Sequence, residues 1–169
     1  MAVLRTLERL ALGRRDSVAG TVYGTIVVMA TLAAGSKGEE TQPWELATVV
    51  GVTVVVLWVA HVYAHSLAEG LEQGSRLSVD ELRSVARREL AIPLAAVAPV
   101  ATLGAAELGL LATQTAIWVA LGLGVAALGY QGVRYAALEH LGRAGTLVSV
   151  SLNIALGLAI VALEASITH

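Results

Sequence analysis

The sequence predicts an all-α fold, a polytopic membrane protein built as a bundle of about five transmembrane helices. Hydrophobic residues make up 56% of the 169-residue chain and charged residues only 14%, and the mean hydropathy is +0.73. Soluble domains usually contain about 25% charged residues, and a chain of this length cannot bury such an apolar surplus in its own core. We therefore expect a multi-pass protein of the cell membrane, with the lipid bilayer around it.

Five apolar runs are long enough to cross the hydrocarbon, which requires about 20 mostly apolar residues. They occupy residues 17–35, 44–66, 90–112, 115–136 and 145–167. The first run also fits a cleaved secretory signal, since Arg14 and Arg15 precede it, but the polar segment before it and the four later runs favour a retained span. The runs lack the alternating pattern of the strands in a membrane barrel.

The distribution of basic residues predicts the orientation of the bundle. Ten of the eleven Lys and Arg residues lie in segments that a five-span bundle places on one side of the membrane. These segments are the one before span one, the loop between spans two and three, and the end of span four with the loop that follows it. Only Lys37 lies on the opposite side of the membrane. Loops rich in Lys and Arg stay in the cytoplasm. The N terminus is therefore predicted in the cytoplasm and the C terminus outside.

Two cytoplasmic segments have the pattern of short interfacial helices. Residues 1–16 form an amphipathic segment before span one, and the cytoplasmic loop 67–89 contains "SVDELRSVARREL", where Glu81 follows Ser78 by three residues in a capping-box pattern. Both segments fit helices lying among the headgroups, and both fit soluble helical connections equally well. The rest of the chain, residues 17–169, is predicted to form a single transmembrane domain.

His61 and His65 are the first candidate functional residues, in the stretch "HVYAHSLAE" at the cytoplasmic end of span two. Four residues of helix place their side chains on one face. Such a pair can bind a divalent metal ion, relay protons near neutral pH, or anchor the helix end among the headgroups beside Trp58 and Tyr63. No cofactor is expected beyond this possible divalent metal ion, and the three roles remain open.

Acidic residues collect at the predicted outer side. Glu107 and Glu164 lie near the outer ends of spans three and five, with apolar residues around both. Ionisable groups within a span are costly, so they are candidates for function. The outer loop and the start of span two add Glu39, Glu40 and Glu45. An acidic mouth of this kind would attract cations.

Span five carries a polar stripe, which includes Ser149 and Asn153 on the face of Glu164. Such a stripe faces a bundle interior or another helix, where it serves either as part of a pathway or only in packing. On the cytoplasmic side, Glu72, Glu139 and His140 are expected to form a cluster with the two histidines of span two.

Several classes of function are excluded or disfavoured by the sequence. The net charge of −2 argues against a nucleic-acid partner. The absence of Cys excludes thiolate metal sites and cysteine nucleophiles. The sequence contains no HExxH, GxSxG or phosphate-binding GxxxxGK[ST] motif, so an enzyme is not expected.

The polar residues favour a pathway for cations or protons, channel-like or transporter-like, formed by a homo-oligomer or together with a partner membrane protein. The alternative is a non-catalytic membrane subunit or scaffold that packs against partner membrane proteins. Gly20 and Gly24 form a GxxxG pattern in span one, which indicates close contact with another helix of the same chain or of another protomer.

Overall fold

The computed structural model describes residues 15–36, 42–73 and 78–167, and every regular element within these ranges is an α-helix. The helices are α1 (Arg15–Gly35), α2 (Pro43–Gln73), α3 (Val79–Arg88), α4 (Ala91–Leu94), α5 (Val97–Glu107), α6 (Thr113–Leu138) and α7 (Arg143–Ile167). The amphipathic segment before α1, the outer-loop residues Glu39 and Glu40, and the side chains of Glu72 and Glu164 lie outside the described part of the chain.

Four of the helices are long and apolar enough to cross a membrane, namely α1, α2, α6 and α7. A fifth crossing is formed if Val79–Leu94 and Val97–Glu107, which are bent by 47° relative to each other, count as one span. The described chain is therefore all-helical with four to five helices able to span a bilayer, as expected for a multi-pass membrane protein.

The predicted third span, residues 90–112, is not one continuous helix. It is interrupted between α4 and α5, and α5 already ends at Glu107. Pro93 and Pro99 explain the interruption, because proline has no N–H to donate and its ring collides with the carbonyl group four residues earlier. For Pro93 that carbonyl belongs to Glu89, whose oxygen instead accepts from the Ile92 N–H at 3.1 Å.

Helix α1 lies at the centre of the bundle, in contact with α2, α4, α6 and α7. Its fully buried side chains Val28, Met29 and Leu32 belong to one apolar core. The other helices contribute Val50, Val54, Ile92, Leu103, Leu121 and Leu128 to this core. By contrast, only 22% of the apolar window of α2 and 11% of that of α7 is buried. The outer faces of α2 and α7 are therefore largely exposed.

Two glycines allow helices to approach to backbone contact. A Cβ on Gly24 would lie 2.6 Å from the Ile92 carbonyl oxygen, and one on Gly132 would lie 2.9 Å from Val150 Cα. Contacts below 3.0 Å force the backbones apart, so these positions set the α1–α4 and α6–α7 spacings. The close contact indicated by the GxxxG pattern in span one is thus made inside the chain.

Helix α3 begins with the predicted capping box, which the structure confirms. The Glu81 N–H donates to Ser78 Oγ, and the Ser78 N–H donates to Glu81 Oε2, both at 3.1 Å. Farther along, the Trp58 Nε1–H of α2 donates to the Ala86 carbonyl oxygen at 3.2 Å. This bond, with the buried Val85, holds α3 against the second half of α2 and brings its C-terminal end next to the histidines.

Candidate functional site

A polar cavity of about 670 Å³ lies between the start of α1, the last third of α2 and the end of α3. Its walls carry six polar or ionisable side chains, Tyr23, His61, His65, Glu69, Arg88 and Glu89. Small residues such as Ala19, Gly20 and Ala68 form much of the remaining wall. We call this space the histidine cavity, and it lies at the end of the bundle where α1 begins.

The centre of the histidine cavity is a pair formed by His65 and Glu89. The His65 Nδ1 and Glu89 Oε1 atoms lie 3.0 Å apart, within hydrogen-bonding distance. The Glu89 side chain is only 10% exposed, whereas the His65 side chain is 52% exposed. A buried carboxylate is costly without a partner, and the imidazole supplies that partner while remaining in contact with the surroundings.

The local backbone explains why Glu89 turns inward. Glu89 is the last residue of the α3 turn, where its N–H donates to the Val85 carbonyl oxygen at 3.0 Å. Its second carboxylate oxygen, Oε2, lies 3.9 Å from the place where a Cβ on Gly20 would be. The carboxylate therefore lies next to the backbone of α1 at Gly20.

The two histidines stand side by side and connect this pair to α1. The ring centroids of His61 and His65 are 5.3 Å apart with planes at 61°, and those of Tyr23 and His61 are 5.0 Å apart at 37°. A row of groups able to accept or donate protons thus runs from Tyr23 of α1 through both histidines to Glu89. The expected common face of the histidines is present.

A second ion pair closes the wall of the histidine cavity. Arg88 Nη2 donates to Glu69 Oε2 at 3.1 Å and lies 2.9 Å from Glu69 Oε1. Both side chains are partly exposed. Because Arg88 is neutralised by Glu69, Glu89 is left to interact with His65. The Nε atom of Arg88 is buried, and no described atom accepts a hydrogen bond from it.

The predicted metal site at His61 and His65 has no third ligand in the part of the chain that the structure describes. Within that part, no group of three or more His, Asp or Glu side chains is arranged to hold a metal ion. The two rings meet edge to face, and Glu89 contacts only the Nδ1 atom of His65. This arrangement can exchange protons, but it does not form a coordination shell.

The polar residues predicted on span five lie elsewhere in the bundle. Ser149 Oγ donates to the Gly132 carbonyl oxygen at 3.0 Å, and Asn153 Nδ2 donates to the Ser149 carbonyl oxygen at 2.9 Å. Both residues line a second, largely apolar cavity of about 700 Å³ between α1, α6 and α7. The Ser149 bond joins α7 to α6, as in the packing alternative for this stripe, whereas the Asn153 bond lies within α7.

The remaining candidates do not join the histidine cavity. Glu139 lines the second cavity, and His140 is exposed in the connection between α6 and α7. Glu107 is exposed at the end of α5, far from the end where Glu89 lies. Glu45 is exposed in the first turn of α2. The structure therefore brings His61 and His65 together, but it places none of these four residues with them.

Sequence reasoning missed Glu89, Arg88 and Tyr23 as site residues. Glu89 directly precedes the third apolar run and stands four residues before Pro93. An ionisable residue at the entrance to a predicted span is a usable signal, since it must be neutralised or paired there. The partner could not be read from the sequence, because it depends on how α3 folds back onto α2.

No family model matches the sequence, and no curated protein or solved structure shows significant similarity to this chain.

Proposed function

We propose that this protein forms, or contributes to, a proton pathway across the cell membrane, in which the histidine cavity takes up and releases the proton. The observation that carries the proposal is the Glu89 carboxylate, 10% exposed and 3.0 Å from the half-exposed His65. A cation or proton pathway, channel-like or transporter-like, is also the function that the sequence favours.

The chemistry of the pair supports a proton as the transported species. An imidazole and a carboxylate can each bind and release a proton, and the 3.0 Å between His65 Nδ1 and Glu89 Oε1 allows a proton to pass between them. His61 and Tyr23 extend the row toward α1, so each step has a neighbouring acceptor.

The proposed orientation places the histidine cavity on the cytoplasmic side. It rests on the basic residues concentrated before α1 and between α2 and α4. Glu45 and Glu107 then lie on the outer side, where exposed carboxylates raise the local concentration of cations. Glu164, in the last turns of α7, belongs to the same side in this proposal.

The apolar core implies that the pathway is completed between chains. One apolar core, which includes Val28, Val54 and Leu128, fills the bundle between its two ends. We propose that the outer faces of α2 and α7, which are largely exposed, pack against further copies of this chain or against a partner membrane protein. An oligomer supplies a path between protomers without opening the core of each one.

A flux assay tests the proposal. Purified protein is placed in liposomes, a pH gradient is imposed, and the internal pH is followed with a trapped dye. We expect the wild type to dissipate the gradient and Glu89→Gln to lose most of that flux, because glutamine keeps the shape of the side chain but cannot ionise. The matched control is Asp80→Asn, an exposed acidic position in the first turn of the same helix, which should keep wild-type flux.

Two outcomes would contradict the proposal. One is a wild type that conducts no better than protein-free liposomes, and the other is equal flux in Glu89→Gln and wild type. Circular dichroism of each variant in detergent verifies that the helices remain folded. The same assay with Na⁺, K⁺ or a divalent cation gradient separates a proton pathway from a cation pathway.

A membrane subunit or scaffold without transport is the second candidate. The exposed apolar faces of α2 and α7 and the second cavity of about 700 Å³ favour it, because they are suited to packing against a partner. In this case His65 and Glu89 only fasten α3 to α2. Wild-type protein that folds, shows no flux for any ion and is cross-linked in cells to one membrane protein through α2 or α7 would support this function.

A further inference from the structure

Arg134 is a buried cation that the proposed proton pathway does not use. It lies in α6, four residues before the end of that helix, and is only 9% exposed. Its Nη1 donates to Gln131 Oε1 at 2.9 Å, and its Nη2 donates to Ser17 Oγ at 3.3 Å. Both acceptors are neutral. Among the described residues, no carboxylate lies within salt-bridge distance of this guanidinium.

The described neighbours of Arg134 supply no negative charge. A guanidinium stays protonated in proteins, and taking a cation out of water costs several kcal/mol unless an anion accompanies it. The group has five N–H donors, and the two hydrogen bonds to Gln131 and Ser17 satisfy only part of them. The site is therefore chemically suited to an anion, and a guanidinium fork matches phosphate oxygens especially well.

Arg134 also forms one end of a narrow apolar slot. The slot has a volume of about 280 Å³ and lies between α1, the α4–α5 bend and α6. From Arg134 it extends along α6 to Leu123, a distance of about 16 Å at 1.5 Å per residue. Alanines and other apolar side chains form most of its wall.

The slot is open toward the outside of the bundle. Leu94, Ala98, Leu123 and Tyr130 line it and are exposed on the chain surface. In a bilayer this surface faces lipid, so an acyl chain can enter sideways between α5 and α6. The Thr21 hydroxyl in the wall already donates to the Ser17 carbonyl oxygen at 2.7 Å. Arg134 is the only charged residue among the described residues that line the slot.

We propose that this slot binds an anionic phospholipid, with the phosphate on Arg134 and part of one acyl chain along α6. Charge complementarity and shape point to the same occupant, because a free inorganic anion would leave the apolar slot empty and a neutral apolar molecule would leave the guanidinium uncompensated. Arg134 is about 6 Å from the end of α6, counted as four residues of helix, which suits the depth of a headgroup. This inference does not depend on the proton pathway.

Native mass spectrometry of the whole protein tests the proposal. The protein is released from mixed micelles that contain equal amounts of phosphatidylglycerol and phosphatidylcholine, and the retained lipid is identified. Both lipids offer a phosphate to Arg134, but the choline cation of phosphatidylcholine neutralises that phosphate and is repelled by the guanidinium. We therefore expect one phosphatidylglycerol per chain, preferred over phosphatidylcholine by about tenfold. Arg134→Gln should abolish the preference, whereas Arg143→Gln, an exposed cation at the start of α7, should preserve it.

A second pair of variants separates slot binding from surface charge and from misfolding. Ala127→Leu fills the slot without changing any charge and should release the lipid. Ala126→Leu, its exposed neighbour outside the slot, should not. Equal retention of the two lipids by the wild type would overturn the proposal, and so would equal losses in Arg134→Gln and Arg143→Gln. Displacement of the lipid by inorganic phosphate alone would show a free-anion site instead and would also overturn it.

Discussion

His65 Nδ1 and Glu89 Oε1 lie 3.0 Å apart although 24 residues separate them in the sequence. The contact exists because α3 folds back along the second half of α2, held there by the Trp58–Ala86 hydrogen bond. It connects a half-exposed imidazole with a carboxylate that is almost fully buried. The exposed ring of His65 is therefore in direct contact with the Glu89 carboxylate inside the bundle.

The first prediction concerns the energy of this contact. His65→Ala removes the only described partner of a buried carboxylate, so we expect it to lower the free energy of unfolding by about 1–2 kcal/mol. In Glu89→Gln the same histidine change should cost less, because no charge is left unpaired. A double-mutant cycle measured by chemical denaturation in detergent should give a coupling of about 1 kcal/mol. Strictly additive effects would mean that the two side chains do not interact.

The second prediction concerns the α6–α7 contact. In Gly132→Ala the new methyl group would lie 2.9 Å from Val150 Cα and 3.0 Å from the Ser149 carbonyl oxygen, so the helices must separate. We expect a loss of about 1–3 kcal/mol in unfolding free energy from overpacking. Gly122→Ala, in the same helix with no atom within 4 Å of the new Cβ, should instead be neutral or stabilising by up to about 1 kcal/mol. Thermal denaturation of both variants measures the difference in stability. A Gly132→Ala protein as stable as Gly122→Ala would refute the described packing.

The third prediction concerns the outer glutamates of the proposed pathway. The double variant Glu107→Gln/Glu164→Gln should reduce proton or cation flux in liposomes, because it removes two negative charges from the proposed outer mouth. Since Glu107 is exposed, its replacement alone should change the unfolding free energy by no more than about 0.5 kcal/mol. Unchanged flux in a folded double variant would remove these two residues from the pathway.

The fourth prediction concerns metal binding at His61 and His65. Because the described residues offer no third ligand, we expect elemental analysis to find the same trace metal in the wild type and in His61→Ala/His65→Ala. A stoichiometric divalent ion that is present in the wild type and lost in the double variant would contradict this expectation. It would then assign a ligand role to both histidines.

The fifth prediction concerns orientation. The chain contains no Cys, so a single introduced cysteine gives an unambiguous label. In intact cells, a membrane-impermeant maleimide should react with Leu110→Cys in the α5–α6 connection and should not react with Ser84→Cys in α3, although both positions are exposed. After the cells are opened, both should react. The reverse pattern would invert the orientation that the basic residues predict.

Hydropathy alone predicted the helical class and most of the helices able to span a membrane, because an apolar run long enough to cross a bilayer is a local property of the sequence. The capping box of Ser78 and Glu81 was equally local, since both partners lie within four residues. The interruption between α4 and α5 was only partly visible, because Pro93 and Pro99 indicate a kink without specifying its angle.

The candidate site was predicted only where neighbours in sequence are also neighbours on a helix. His61 and His65 share a face for this reason. Glu89 and Tyr23 reach the same cavity through contacts between helices, which no periodicity in one helix reveals. Glu139 and His140 do not join His61 and His65 as expected, because α6 ends beside the second cavity. This position also depends on contacts between helices.

The hydrogen bond from Arg134 to Ser17 joins residues 117 positions apart, and this separation has a consequence for biosynthesis. At 5–20 residues per second, the ribosome makes the second partner roughly 6–23 s after the first. During this interval α1 lies in lipid without α6. The hydroxyl groups of Thr21 and Thr31 need no partner from another helix during this time. They donate to the Ser17 and Val27 carbonyl oxygens of their own helix, at 2.7 Å and 2.8 Å. The earliest described helix to leave the ribosome is thus the one against which four later helices pack.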